Sequence, residues 1–321
     1  MVRSERSRRR IIALSVPLVG IIALTGCSTD SPDSGAISPA TAPVESAFEH
    51  VHGLGADPLT GDTYAATHLG VWLIPTGALP DTYLVGAPRA DATQPVQIAG
   101  RAQDTMAFTV AAPGQLLASG HPDPAEQSNL ALPNLGLMSS TDGASSWTTL
   151  SLEGVTDFHD LDAVPLNDGS LRVYGYDAAA GAVSVSDDSG LTWSPRAVLA
   201  LRDLAADPSQ TDRLYATTAT GVMVSTDAGR TFGPLDGAPA LLLVDAVDAA
   251  SGGGWVGLDP TGGVWRQDGE TWTQTGTTGR TPEAFAVVDG PVSWLLVADA
   301  TGITASDDFG DTWTALVSAA G

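Results

Sequence analysis

The chain has no lysine. All 14 of its basic residues are arginine, set against 37 acidic ones, and the 321 residues carry a formal net charge of −23. Five of the arginines lie in the first ten residues, and Glu5 is the only acid before residue 27. The rest of the chain therefore holds nine arginines against 36 acids, a net of −27. A field of that sign repels phosphate, which excludes a nucleic-acid partner. It makes anionic lipid headgroups equally unattractive. Cysteine occurs once, as Cys27, so no disulfide can form within the chain. No phosphate loop, HExxH helix or Ser-His-Asp arrangement is present, which removes the support for hydrolases of those kinds. The charge does not signal disorder, because 43% of the residues are hydrophobic and eight are tryptophan.

What is present begins with an address. Arg3, Arg6, Arg8, Arg9 and Arg10 precede a mostly apolar run, Ile11 to Leu24. That run is shorter than the roughly 20 residues a spanning helix needs and fits the core of a secretion signal. It ends in Leu24-Thr25-Gly26-Cys27, which resembles the lipobox of bacterial lipoproteins. The resemblance implies cleavage after residue 26 and lipidation of Cys27, with the mature protein anchored to the outer face of the cytoplasmic membrane. Residues 27–45 are rich in Ser, Pro, Ala, Gly and Asp and read as a flexible tether. Residues 46–321 form the folded body.

One repeated unit accounts for that body. Ser140 to Trp147, Ser186 to Trp193, Ser225 to Phe232 and Ser306 to Trp313 share the pattern S-x-D-x-G-x-T-W, with Ala144 at the Gly position of the first. A degenerate copy runs from Gln267 to Trp272. The pattern is the Asp-box, or BNR repeat. Asp142, Asp188, Asp227 and Asp308 suit hairpin turns in which the carboxylate accepts backbone N–H groups, and Trp147, Trp193, Phe232 and Trp313 pack behind them. The aromatic positions, with Trp272, are spaced 46, 39, 40 and 41 residues apart. Repeats near 40 residues built of short strands signal propeller blades. A strand opening Gly-apolar stands before each box, and Gly70-Val71 opens a sixth without one. Two further apolar strands lie upstream of each, such as Thr63–Thr67 and Leu171–Tyr176. The expected fold is all-β: a six-bladed propeller of four-stranded antiparallel blades with almost no helix. An irregular insert falls in blade 1, around residues 76–94.

Histidine is scarce and unevenly placed. All five, His50, His52, His68, His121 and His159, lie in the first half of the body. Alignment of first strands sets His52, Phe108, His159 and Arg202 level, and two residues earlier His50, Met106, Asp157 and Ala200. His68, His121 and Tyr176 end second strands. In a propeller both sets converge on one face at the mouth of the central channel. The candidate metal ligands are His50, His52, His68, His121, His159 and Met106, with Tyr176 and Arg202 as further ligand-binding residues. Imidazoles and carboxylates facing one cavity suit a transition metal such as zinc, and a thioether would favour copper. Glu49, Asp123, Asp157 and Asp160 are the candidate acids for the rival reading, a glycoside hydrolase, whose carboxylate pair would stand roughly 5 to 9.5 Å apart. A third reading makes this face a scaffold for a protein partner.

Glu49 to Pro58, Tyr64 to Gly70, Ala118 to Pro122, Leu132 to Leu137 and Asp157-Phe158-His159 together resemble a family of bacterial surface lipoproteins. Members are commonly labelled glycosyl hydrolase or exo-alpha-sialidase-like. The resemblance implies a six-bladed propeller and, through its label, a glycan substrate. Sialidases hold the substrate carboxylate with three arginines, one of them in an Arg-Ile-Pro motif. No such motif occurs here, and of the body's nine arginines only Arg202 is expected at the channel mouth. The expected partners are the membrane, through the lipid anchor, and a metal ion, small ligand, glycan or protein at the His-lined face.

Overall fold

The computed structural model describes residues 50–88, 92–123 and 133–318. The signal, Cys27, the tether and Glu49 lie outside the described residues, as does most of the segment between Asp123 and Pro133. Twenty-four strands assemble into six sheets of four, each strand antiparallel to its neighbour. Blade 1 comprises β1 (Val51–Ala56), β2 (Thr63–Thr67), β3 (Gly70–Ile74) and β4 (Val96–Gln97). Blade 2 comprises β5 (Asp104–Ala112), β6 (Gln115–His121), β7 (Leu137–Ser140) and β8 (Thr148–Ser151). Blade 3 comprises β9 (Phe158–Pro165), β10 (Leu171–Asp177), β11 (Ala182–Ser186) and β12 (Ser194–Val198). Blade 4 comprises β13 (Asp203–Asp207), β14 (Gln210–Thr218), β15 (Gly221–Ser225) and β16 (Gly233–Pro234). Blade 5 comprises β17 (Leu243–Ala246), β18 (Trp255–Leu258), β19 (Gly263–Asp268) and β20 (Thr271–Thr277). Blade 6 comprises β21 (Pro282–Val288), β22 (Trp294–Asp299), β23 (Gly302–Ser306) and β24 (Thr314–Ser318). Among the described residues the only helices are two three-residue 3-10 turns. This is a six-bladed β-propeller, and its inner strands β1, β5, β9, β13, β17 and β21 adjoin in a closed ring.

Burial follows the blade geometry. The second strands are largely buried, Thr63–Thr67 and Trp255–Leu258 along their whole length, because neighbouring blades cover both faces. Small residues make that stacking possible. Phe158 is fully buried with its ring against Gly175, where a Cβ would come within 2.6 Å of it. Outer strands such as β12 face water.

The Asp boxes join blades at the face opposite the start of the inner strands. In the blade 3 box, Asp188 accepts the backbone N–H and the hydroxyl of Thr192, at 2.8 and 2.6 Å, and the hydroxyl of Ser186. The other three boxes repeat these bonds. Trp193 then donates its indole N–H to Ser151 of blade 2 and stacks near Phe158. The degenerate copy has no box: β19 and β20 join directly through Gly269 and Glu270. These carboxylates are held below the usual range by the hydroxyl and N–H groups around them, Asp188 and Asp227 to about 2.

No strand is exchanged to close the ring, because blade 1 and blade 6 are each continuous in sequence. Closure rests on packing, joined by contacts of the Val51 N–H and of His50 Nδ1 with the Glu283 carboxylate of blade 6. Val51, Leu54, Ala65 and Ile74 of blade 1 form one cluster with Ala284, Ala286, Leu296 and Ile303 of blade 6. The blade 1 insert adds Leu79 and Tyr83 to that cluster. Tyr83 meets Trp294 of blade 6 edge-on, and its hydroxyl lies 2.7 Å from that of Thr63.

Along the channel, carboxylates of one inner strand accept N–H groups of the next. Asp160 and Asp162 reach Leu204 and Ala206, Asp203 reaches Val244, and Asp245 reaches Val287, all at 2.5 to 2.7 Å. Burial pushes all four pKa values up, Asp160 to about 7 and Asp162 to about 6. The folded chain therefore holds protons that the unfolded chain has released, and stability falls as pH rises through those values. His52 acts in the opposite sense, but its contribution is complete by about pH 6.5. The metal-free protein should therefore lose stability as pH rises through about 6 to 8, where Asp162 and then Asp160 give up their protons, and its Tm should fall across that window. Thermal melts of the wild type and of Asp203→Asn, whose amide still accepts the Val244 N–H, check this. A Tm that rises across the window, or an unchanged slope in the variant, contradicts it.

Candidate metal centre

Three bulges and a repeated strand pairing build the site. Val51 pairs with Thr67 and Gly53 with Ala66, which leaves His52 as an extra residue in β1. Met106 is extra in β5 and His159 in β9 for the same reason. A fourth bulge, in β21, sets out Glu283. A bulged residue bends its strand and re-aims its own side chain. Four of the six inner strands thus carry a bulge at the same end, at the channel mouth. This places Met106 level with His52, two residues from the alignment read along the sequence, because the extra residue breaks the strand count.

The second strands bring the remaining histidines to the same end. His68 follows β2 and His121 ends β6. Each meets an aspartate that opens the next blade. His68 Nδ1 lies 2.7 Å from Asp104 Oδ1, and His121 Nε2 lies 3.2 Å from Asp157 Oδ2. Both pairs are separated by 36 residues in sequence.

The tightest constellation lies at the junction of blades 1 and 2. Donor atoms of His52, His68 and Asp104 all fall within 4.8 Å of one another. His52 Nε2 stands 3.3 Å from His68 Nε2. Two bonds of about 2.0–2.1 Å at a tetrahedral angle hold nitrogens about that far apart. Burial, followed by the neighbouring His68 and His50, holds the His52 pKa down to about 3. The imidazole is therefore neutral with its lone pair available, which metal ligation requires. His50 stacks at 6.1 Å from His68 but turns its Nδ1 to Glu283, 3.2 Å away. Two imidazoles and a carboxylate with room for a further ligand is a donor set that zinc and other divalent transition metals accept.

The other candidates are distributed round the mouth. His159 Nε2 lies 2.8 Å from Asp157 Oδ2, which raises its pKa. Met106 is half-buried on its bulge between the two His–Asp pairs. Tyr176, at 9% exposure, packs among Val164, Leu204 and Ala206 between blades 3 and 4. Asp123 accepts the Ala102 N–H. Arg202 crosses the channel and donates to the Glu283 carbonyl at 2.8 Å. Below the mouth lies a cavity of about 450 Å³, lined by inner strands of all six blades. Among the described residues its acids are Asp160, Asp162, Asp203, Asp245, Asp248, Glu283 and Asp289, and Arg202 is its only arginine. The sequence reading did not single out Asp104 or Glu283. Asp104 stands 36 residues after His68, the spacing that also separates His121 from Asp157, and that regularity was the available signal.

No family model matches the chain, and no curated protein sequence does. Solved structures resemble it as folds. A xyloglucanase of family GH74 from Xanthomonas campestris superposes with a TM-score of 0.50 at 17% identity, over 84% of this chain and 38% of that one. This chain thus spans about two fifths of the xyloglucanase. A gluconolactonase from the same organism gives 0.54 at 16% identity, covering 78% of this chain and 83% of that one. A chain of a nidogen/laminin complex gives 0.55 at 15%, over 78% of this chain and 90% of that one. At these identities the likeness is one of architecture.

Proposed function

We propose that the protein is an extracytoplasmic, lipid-anchored propeller that binds a transition-metal ion at its channel mouth, with His52, His68 and Asp104 as ligands. One observation carries the reading: three donors from two blades converge within 4.8 Å. The net charge of −27 on the chain beyond residue 26 supports it, because a field of that sign favours a cation over an anion. Zinc or copper fits the imidazoles, and the thioether of Met106 would favour copper over zinc. The anchor is proposed on Cys27 and the signal that precedes it. The glycoside-hydrolase reading has weaker support. Asp123 and Asp160 are each engaged by backbone N–H groups, and Asp157 faces two imidazoles. A sialidase site has weaker support still, because among the described residues Arg202 is the only arginine lining the cavity.

Metal analysis of the full chain, purified without a histidine tag and dialysed against micromolar zinc, tests the proposal. At least about one equivalent should remain bound, and chelator should remove it. Less than about a tenth of an equivalent would overturn it.

A further inference from the structure

The junction of blades 2 and 3 repeats the arrangement at the junction of blades 1 and 2. In both, a histidine at the end of a second strand meets an aspartate that opens the next inner strand, and a bulged histidine lies beside the pair. In the first junction the bulged residue is His52, contributed by the earlier blade; in the second it is His159, contributed by the later one.

Two features of the second junction ask for a positive charge. Asp157 is only 8% exposed, and its Oδ1 is buried with no hydrogen-bond partner among the described residues. Leaving a buried carboxylate oxygen unpartnered costs free energy unless something else satisfies it. The second feature is the tautomer of His121. Its Nδ1 lies 3.1 Å from the Pro133 carbonyl, an acceptor only, so Nδ1 carries the proton. In the neutral ring the lone pair of Nε2 then faces Asp157 Oδ2 at 3.2 Å, lone pair against lone pair. A cation between them removes that repulsion. A backbone carbonyl bonded to the far ring nitrogen is also the usual support for a metal-ligating histidine.

We propose that His121, Asp157 and His159 form a second transition-metal position, distinct from the one at His52, His68 and Asp104. Both imidazoles present Nε2 to Asp157 Oδ2, at 3.2 and 2.8 Å; their three donors do not all fall within 4.8 Å of one another, as those of the first position do, so binding requires the rings to swing together round the ion. The proposal stands on its own residues and does not require the first position to be filled. Met106 lies half-buried on the strand between the two positions.

Zinc titration of the metal-stripped full chain tests this, with calorimetric stoichiometry as the readout. The wild type should take up two equivalents. His121→Ala with His159→Ala should take up one, and so should His52→Ala with His68→Ala. Asp157→Asn, which keeps the side-chain shape, should weaken one equivalent at least tenfold and leave the other unchanged. One equivalent in the wild type, lost only with His52 and His68, would overturn the second position and leave the first standing. Two equivalents undiminished in the His121/His159 and Asp157 variants would also overturn it, and would show that the three groups are a protonated ion-pair cluster. Loss only with His121 and His159 would support the second position and remove the first.

Discussion

In a background that already lacks His121 and His159, replacing His52 and His68 together with alanine should lower zinc affinity by about a thousandfold or more and leave the folded structure intact. Outer partners of a ligand are each worth about ten- to a hundredfold in affinity, and a direct ligand is worth at least as much. Two of three protein ligands go in this variant. The remaining Asp104 would hold zinc no better than any other exposed carboxylate. Stability should hardly change, because neither ring belongs to a hydrophobic cluster. His52 even carries the cost of burial, which holds its pKa down to about 3. Competition against a chromophoric zinc chelator at about pH 7.5 reads the affinity, and thermal melts of the metal-free proteins read the fold. Asp104→Asn keeps the shape and removes one charge, so a loss of about ten- to a hundredfold is expected there. Unchanged affinity in the double variant would place zinc elsewhere.

Tyr83→Ala should cost about 3–5 kcal/mol of unfolding free energy, the usual range for removing a buried aromatic ring. The argument rests on how the ring closes. Blade 6 meets blade 1 with no shared strand, so side-chain packing across that seam must hold it. Tyr83, 4% exposed, inserts from the blade 1 insert between β2 and Trp294. Its removal opens a cavity at the one junction where the chain's two ends of the propeller meet. Tyr83→Phe keeps the ring and leaves the Thr63 hydroxyl buried without its partner, at about 1–3 kcal/mol. Urea unfolding of the two variants separates packing from the hydrogen bond. A Tyr83→Ala protein within about 1 kcal/mol of the wild type would mean that the insert does not secure the seam.

Much of the fold is legible in the sequence because its signals are local. The boxes mark one turn in four blades, and the Gly-apolar strand starts recur through all six. The second strand of blade 1 runs over Thr63–Thr67, the short apolar segment upstream of Gly70-Val71. The site is legible only in part. His68 and His121 sit at strand ends, and a strand end is a position that turn residues announce. The bulges are different, because one extra residue leaves no trace in the periodicity. Counting from the strand starts sets Met106 against His50, whereas the paired strands set it against His52. Asp104 and Glu283 escape for the same reason, each standing at the first or second position of an inner strand whose start has no marker. The acid excess has two structural uses. The boxes take four aspartates for their turns, and Asp160, Asp162, Asp203 and Asp245 each accept a backbone N–H of the next inner strand. They bind neighbouring blades together along the channel, a role visible only once the inner strands lie side by side.

The most direct test of metal binding at the channel mouth is anomalous diffraction at the zinc edge from zinc-loaded crystals of the protein. The expected result is a peak about 2.0–2.2 Å from a ring nitrogen of His52, a ring nitrogen of His68 and an Asp104 oxygen. Zinc found only among the channel carboxylates, or no peak beside those three residues, would contradict it.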